Sequence, residues 1–271
     1  MESDNFWRRL EKKMVIAHRG YRAIRAENTL SAFKAAKGRC DLVELDVGFS
    51  KDGVAIVIHD DTLERTTNAK ELAGFSAPFS ITDYSYEEIL QLDASSWFIK
   101  TDPFGTIKNN LVKKEELEAL PIQRVPTLKE TLSLLKELNL PVNVEIKELG
   151  NTPFDKVAPR LILKEIKSLD MQNHTVISSF NHSYLKVIKA LDPTIEIAVL
   201  EEHKHPKNTV AYLKSLNTNN YNIREDICNE KVVKELTAEG INVSVFTINS
   251  KEQQEKLFSW GVKAVFSDFL P

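Results

Sequence analysis

The segment Val43-Glu44-Leu45-Asp46-Val47 alternates between aliphatic and acidic residues without a break. In a β-strand, residues two apart share a face, so Glu44 and Asp46 point one way and the three aliphatic residues point the other. The aliphatic face suits packing against helices. The acidic face then lines the interior of a closed sheet, near the end where such barrels carry their active sites.

Around this segment, short β-rich runs alternate with longer amphipathic runs along nearly the whole chain, a pattern that predicts a parallel sheet with helices between its strands. The predicted strands are 14–17, 42–47, 142–146, 175–178, 195–199, 219–223, 242–246 and 263–266. The predicted helices are 28–37, 128–138, 154–169, 183–191, 209–216, 230–239 and 252–258.

Eight such strands in 271 residues predict an α/β fold, a TIM (β/α)8 barrel that forms one domain over residues 1–271. The alternative is an open doubly wound sheet, which usually has fewer strands and favours a Gly-rich nucleotide loop. Neither GxGxxG nor GxxxxGK[ST] occurs in the sequence.

A small insertion follows the second strand, because residues 48–125 are too many for an ordinary βα connection. It opens with Lys51-Asp52-Gly53, and an Asp-Gly pair suits a two-residue hairpin turn. With that turn, 54–58 is the returning strand and His59 pairs with Asp46. Short helices are predicted at 86–92 and 113–120, and we expect the insertion to lie over the barrel mouth.

A third buried carboxylate is predicted in the strand at 142–146, which repeats the alternation and places Glu145 on the same face as Lys147. Three converging carboxylates repel one another, and Mg²⁺ or Ca²⁺ prefers such oxygen ligands. Glu44, Asp46 and Glu145 are therefore candidate metal ligands. The alternative is a polar barrel layer in which they form salt bridges with Arg19 and Lys147.

Two histidines complete the candidate site. His18 and Arg19 directly follow the first strand, and the predicted hairpin brings His59 to the same rim. A cation, Arg19 and Lys147 would neutralise a phosphodiester, while one histidine removes a proton and the other protonates the leaving oxygen.

Composition limits the other classes of function. The 36 Lys and Arg against 39 Asp and Glu give a net charge of -3, which offers no general attraction to nucleic acid or to an anionic membrane. Two cysteines without paired spacing predict a reducing compartment. With neither a signal-peptide pattern in the first 20 residues nor an apolar run of membrane-spanning length, we expect a cytoplasmic protein without membrane insertion. No pattern indicates an oligomeric state.

The chain resembles the glycerophosphodiester phosphodiesterase family. The matching motifs are AHRG at 17–20, ENTLSAF at 27–33, VELDVGFSKDG at 43–53, IHDDTLERTTN at 58–68, VPTLKETL at 125–132, VEIK at 144–147 and SDFLP at 267–271. Their combination and order cover nearly the entire chain.

The resemblance implies metal-dependent hydrolysis of glycerophosphodiesters, such as glycerophosphocholine or glycerophosphoethanolamine, to sn-glycerol 3-phosphate and an alcohol. By motif, His18 and His59 form the acid/base pair. The motifs also imply that Glu44, Asp46 and Glu145 bind the metal and that Arg19 and Lys147 contact the phosphate.

The resemblance also implies that Glu27 and Asn28 support the site or bind the glycerol end, although Asn28 is alternatively a helix N-cap. Phe246 stands where the family usually has Trp, and keeps an apolar wall beside the substrate.

Two other functions compete with this one. A lysophospholipase D would need an acyl trough, for which the aromatic residues are Phe75, Phe79, Trp97, Phe98 and Phe104. A non-catalytic binder of phosphate esters would bind such ligands without turnover.

Overall fold

The computed structural model describes residues 13–271, and its centre is a closed parallel barrel. Eight strands pair in the order β1-β9-β8-β7-β6-β5-β4-β2, and β1 also pairs with β2, which closes the ring. The strands are β1 Met14–Ala17, β2 Leu42–Phe49, β3 Ala55–Val57, β4 Val142–Ile146, β5 Thr175–Ser179, β6 Glu196–Glu201, β7 Asn220–Arg224, β8 Asn242–Phe246 and β9 Ala264–Ser267. The predicted TIM barrel is confirmed, and the open sheet is wrong.

The helices either follow barrel strands and cover the outside of the ring or, between residues 86 and 118, lie in the insertion. They are α1 Leu30–Ala36, α2 Tyr86–Ile89, α3 Ser96–Thr101, α4 Lys114–Glu118, α5 Leu128–Glu137, α6 Ala158–Ser168, α7 His182–Leu191, α8 Thr209–Ser215, α9 Glu230–Ala238 and α10 Lys251–Trp260. Polar caps start several of them: Thr127 and Glu130 form a capping box at α5, and Asn229 caps α9.

The two faces of β2 are sorted as predicted. Val43, Leu45 and Val47 are fully buried in the main apolar core, between the barrel and the helices. A smaller apolar cluster fills the barrel interior, and it includes Met14 and Leu42 from the first residues of their strands. This part of the barrel floor is therefore apolar. At the starts of β6, β7 and β8, by contrast, Glu196, Asn220 and Asn242 are joined by side-chain hydrogen bonds.

The hairpin that opens the insertion differs from the prediction by one residue. Val47 pairs with Val57, and the Gly53 N–H donates to the Ser50 carbonyl at 2.9 Å, so the loop has three residues. Gly53 has φ +82°, the left-handed position that closes such a loop. The Ile58 N–H donates to the Asp46 carbonyl at 3.0 Å. The predicted pairing of Asp46 with His59 is therefore wrong.

The insertion carries three short helices. α2 and α4 confirm the predicted helices at shorter lengths, whereas α3 was not predicted. The insertion is tied to the loop after β1 by Thr106, whose Oγ1 donates to the Ala23 carbonyl at 2.6 Å. It is tied to the segment after β9 by Phe104, whose ring packs edge-on against Phe269.

Within residues 13–271, no helix combines the length and the apolar character that crossing a bilayer requires. The predicted lack of a signal peptide rests mainly on residues 1–12, which lie outside the described part of the chain.

Candidate active site

Three buried carboxylates meet inside the barrel, supplied by two neighbouring strands. In the register of β2 and β4, Asp46 stands opposite Glu145, and Glu44 lies two residues before Asp46 on the same face. One oxygen of each of the three lies within 4.8 Å of the others. The structure therefore brings together the three residues that the sequence predicts as metal ligands.

Two cations lie against this cluster but do not balance it. Lys147 Nζ is 2.6 Å from Glu145 Oε1 and 3.5 Å from Asp46 Oδ1. Arg19 Nε is 3.4 Å from Asp46 Oδ2, and Arg19 also pairs with Glu27. The predicted salt bridges thus exist, yet two cations face three carboxylates, and one of the cations is shared with a fourth.

The pKa values of the three carboxylates reflect this deficit of nearby positive charge. Burial, and then repulsion from Asp46 and Glu145, raises the pKa of Glu44 well above its ordinary value. Burial also raises the pKa of Glu145, against the attraction of Lys147. For Asp46, burial is outweighed by Arg19 and Lys147, so its pKa is lowered. A hard divalent cation fits this donor set, because oxygen ligands in excess of nearby positive charge are what Mg²⁺ and Ca²⁺ bind.

His18 follows β1 and is held by a residue that follows β9. Its Nδ1 lies 2.8 Å from Asp268 Oδ1. Burial opposes ionisation of Asp268, but the hydrogen bond to His18 and the charge of Arg22 lower its pKa. An ionised carboxylate only accepts, so Nδ1 carries the proton and Nε2 keeps a free lone pair. Burial lowers the pKa of His18 itself and favours the neutral ring.

His59 has the same arrangement with a different carboxylate. Its Nδ1 lies 2.6 Å from Asp60 Oδ1. The one-residue difference in register leaves His59 next to the cluster, because the residue before it, Ile58, is bonded to the Asp46 backbone. His59 and Lys147 line one cleft of about 590 Å³ between the insertion and the loop after β4.

Glu27 is buried and binds three arginines. Its Oε1 lies 2.8 Å from Arg19 Nη1 and 2.7 Å from Arg65 Nη2, and its Oε2 lies 2.9 Å from Arg22 Nη2. Burial opposes ionisation, but these arginines hold the pKa of Glu27 at about 2. Arg22 also lies over the Phe104 ring, 5.2 Å from its centre, so the insertion contacts this cluster directly.

The structure assigns Asn28 to the carboxylate cluster and not to a helix end. Thr29 caps α1 by accepting from the Ala32 N–H, so the alternative role of Asn28 as an N-cap is wrong. Asn28 Nδ2 instead donates to Asp46 Oδ2 at 2.8 Å. Its φ of +56° is left-handed, a conformation that Asn tolerates better than most residues.

Phe246 ends β8 and belongs to an aromatic group inside the barrel. Its ring meets Phe180 and Phe266 edge-on, with ring centres 6.0 and 6.1 Å away. These contacts give the apolar wall that the sequence predicts at this strand end.

Three charged residues of the site were missed as functional residues by the sequence analysis: Arg22, Asp60 and Arg65. For Asp268 the sequence leaves a cap, a rim salt bridge and a substrate contact open, and the structure shows an ion pair with Arg22 and a hydrogen bond with His18. Asp268 lies just beyond the last strand, and barrel residues at that end often belong to a site. Asp60 and Arg65 lie within a matching motif, but only the folded arrangement shows which groups they pair with.

Comparison with known proteins agrees with this geometry. Residues 18–270 match the Glycerophosphoryl diester phosphodiesterase family. A glycerophosphodiester phosphodiesterase of Caldanaerobacter subterraneus subsp. tengcongensis is 34% identical over 264 residues, 95% of this chain and 94% of the relative. Another, of Bacillus altitudinis, is 33% identical over 260 residues and spans 94% of both chains.

Solved structures show the same fold. A phosphodiesterase of Oleispira antarctica, in complex with the product sn-glycerol-3-phosphate, has a TM-score of 0.75 at 29% identity over 97% of this chain and 94% of that chain. A protein of Silicibacter pomeroyi shares the fold at a TM-score of 0.77 and 22% identity, over 95% of this chain and 90% of that one. The match along residues 18–270 and the two curated relatives together show that this chain belongs to the glycerophosphoryl diester phosphodiesterase family.

Proposed function

We propose that this enzyme hydrolyses glycerophosphodiesters, such as glycerophosphocholine or glycerophosphoethanolamine, to sn-glycerol 3-phosphate and an alcohol. One observation carries the proposal: two histidines, each held through Nδ1 by an aspartate, flank a buried carboxylate cluster with a lysine and an arginine beside it. The Oleispira antarctica relative binds sn-glycerol-3-phosphate, which supports this product.

In this proposal the two histidines divide the proton transfers. His18, whose buried ring is bonded to Asp268 through Nδ1, removes a proton through Nε2 from the nucleophile, either water or the adjacent glycerol hydroxyl. Attack by water gives sn-glycerol 3-phosphate directly, whereas attack by the hydroxyl gives a cyclic phosphate that water must then open. His59 donates a proton to the departing alcohol oxygen. Arg19 and Lys147 contact the phosphate, and Glu27 and Asn28 hold the site in shape. Phe246 forms an apolar wall for the substrate.

Glu44, Asp46 and Glu145 would hold one divalent cation, Mg²⁺ or Ca²⁺. Bound there, the cation supplies positive charge that stabilises the phosphoryl oxygens as charge develops on them.

The acyl-trough alternative has less support. Phe98 is buried in a cluster with Leu117, and Phe75 stacks on Tyr84, so these aromatics pack within the insertion. Among the described residues, none that lines the cleft beside His59 is aromatic.

Replacement of either histidine tests the catalytic assignment. His18→Ala and His59→Ala are each expected to lower kcat for glycerophosphocholine by at least about a hundredfold, the usual lower scale of acid/base catalysis. Released choline is measured with glycerophosphocholine and with lysophosphatidylcholine. His182→Ala is the control, because its ring binds Tyr212 and the Leu200 carbonyl away from the cluster. Full activity in both histidine variants would refute the assignment, and preference for lysophosphatidylcholine would refute the substrate.

Metal removal tests the cofactor. EDTA should abolish turnover, and added Mg²⁺ or Ca²⁺ should restore it. Turnover that is indifferent to EDTA would refute the proposed metal dependence.

A further inference from the structure

A continuous row of paired side chains connects Nδ1 of His18 to Nδ1 of His59. Each neighbour in the row is within 3.5 Å of the next, and the row crosses from the barrel to the insertion between Glu27 and Arg65. In order, its members are His18, Asp268, Arg22, Glu27, Arg65, Asp60 and His59.

Arg65 is the member that binds one carboxylate of the insertion, Asp60, and one outside it, Glu27. It grips Asp60 with two donors, Nε to Oδ2 at 2.6 Å and Nη2 to Oδ1 at 2.8 Å. Its Nη2 also donates to Glu27 Oε1 at 2.7 Å. Such two-point contacts fix the plane of a carboxylate as well as its distance.

Asp60 Oδ1 therefore receives two donors at once, Arg65 Nη2 and His59 Nδ1. The His59 and Asp60 side chains are about one-third and one-fifth exposed, so packing alone leaves them room to rotate. A carboxylate held on its far side by a guanidinium keeps its near oxygen aimed at the imidazole. Burial opposes ionisation of Asp60, but His59 and Arg65 lower its pKa, which keeps it an acceptor.

We propose that Arg65 is a positioning residue for the reaction: by gripping Asp60 and Glu27, it orients His59 so that its Nε2 faces the substrate. The inference rests on the proposed function, since it assumes that His59 transfers a proton there. Arg65 acts through Asp60, because its Nε and Nη2 both donate to carboxylates.

A double-mutant cycle tests the coupling. Arg65→Met keeps much of the apolar stem and removes the grip on Asp60. We expect it to lower kcat by about tenfold or more while KM changes by less than about twofold, as misplacement of a catalytic group predicts. Asp60→Asn should have a similar effect, and the double variant should be no slower than Asp60→Asn alone. Arg65→Lys, which keeps the charge, should recover part of kcat.

A second readout does not depend on turnover. Nitrogen-15 NMR of the imidazole rings distinguishes protonation at Nδ1 from protonation at Nε2. In the neutral form of the wild-type ring the His59 signal should show the proton on Nδ1, facing Asp60, so that Nε2 binds and delivers the second proton, the one used in catalysis. In Arg65→Met the proton should redistribute toward Nε2, because Asp60 is no longer held.

Arg124→Met is the matched control within the insertion, since Arg124 Nη1 donates to the carbonyls of Gln91 and Leu92. It should lower stability but leave kcat and the His59 signal unchanged. Three results would overturn the inference: a rise in KM without loss of kcat, additive losses in the double variant, or an unchanged His59 signal in Arg65→Met. A wild type that turns over no glycerophosphodiester refutes the proposed function instead, and the NMR comparison still decides the role of Arg65.

Discussion

At the residue scale, repulsion within the carboxylate cluster destabilises the fold, while the same carboxylates provide a site for a cation. Three carboxylates are buried inside the barrel with too few cations near them, and the raised pKa of Glu44 reflects that repulsion. Proteins retain such unfavourable arrangements where a ligand relieves them. The cluster should therefore cost stability without a cation and gain stability with one.

Substitution of Glu44 separates these two effects. Glu44→Gln removes one charge but keeps an oxygen that accepts from the Arg19 N–H. In EDTA we expect its melting temperature to rise by about 2 °C or more, because repulsion falls. Ca²⁺ or Mg²⁺ should raise the melting temperature of the wild type but not that of Glu44→Gln. Scanning calorimetry with and without metal measures both, and a variant that melts lower in EDTA would contradict the repulsion argument.

Glu27, unlike Glu44, should stabilise the fold at neutral pH, and its contribution to the free energy of unfolding should depend on pH. Its pKa falls from 4.5 to about 2 on folding, so its stabilisation is present above pH 4.5 and is lost as pH falls toward 2. That shift corresponds to about 3 kcal/mol. Urea unfolding should show Glu27→Gln far less stable than the wild type at pH 7, with the gap narrowing below pH 4.5. Glu118→Gln, at an exposed ion pair, is the control. A gap that does not change with pH would contradict the argument.

At the element scale, the strands were predictable to within two residues because their signal is local. The alternation in β2 and β4 follows directly from residue order. The hairpin register was not predictable in this way, since Lys51-Asp52-Gly53 suits both a two-residue and a three-residue loop. The pairing of His18 with Asp268 could not be predicted either, because the two residues are 250 apart in the sequence and no local pattern connects them.

Gly20, directly after Arg19, holds the loop after β1 against α1. Its φ is +81°, and an added Cβ would lie 2.8 Å from the backbone carbon of Ala32. Gly38 has a similar φ of +77° but open space around it. Gly38→Ala should cost about 1–2 kcal/mol of unfolding free energy from conformation alone. Gly20→Ala should cost at least about 1 kcal/mol more, because the helix backbone must shift. Urea titration of both variants decides this, and equal losses would contradict the proposed contact.

At the scale of the whole molecule, the insertion has an apolar core of its own, with Ile56, Ile81 and Leu92 among its members, but it is built onto the barrel. Val57 in β3 pairs with Val47 of β2 and is buried in the main apolar core. The insertion is also joined to the barrel through Arg65 and Thr106. Its charged links to the site could not be predicted from the sequence, since they depend on how the two parts dock.

This arrangement predicts that insertion and barrel unfold together. Trp97 reports on the insertion and Trp260 on α10. Variants that keep only one of these tryptophans, with Phe at the other and at Trp7, should show the same urea midpoint by fluorescence. A lower midpoint for the Trp97 reporter would show that the insertion unfolds by itself.

The pairing of His18 with Asp268 has a consequence for protein synthesis. His18 leaves the ribosome 250 residues before its partner, which follows β9, the strand that also closes the barrel between β1 and β8. Domains begin to fold from the amino-terminal side during translation. A nascent chain interrupted before β9 would have an open barrel and an unsupported His18. Hydrolytic activity therefore appears only once translation of the barrel is finished.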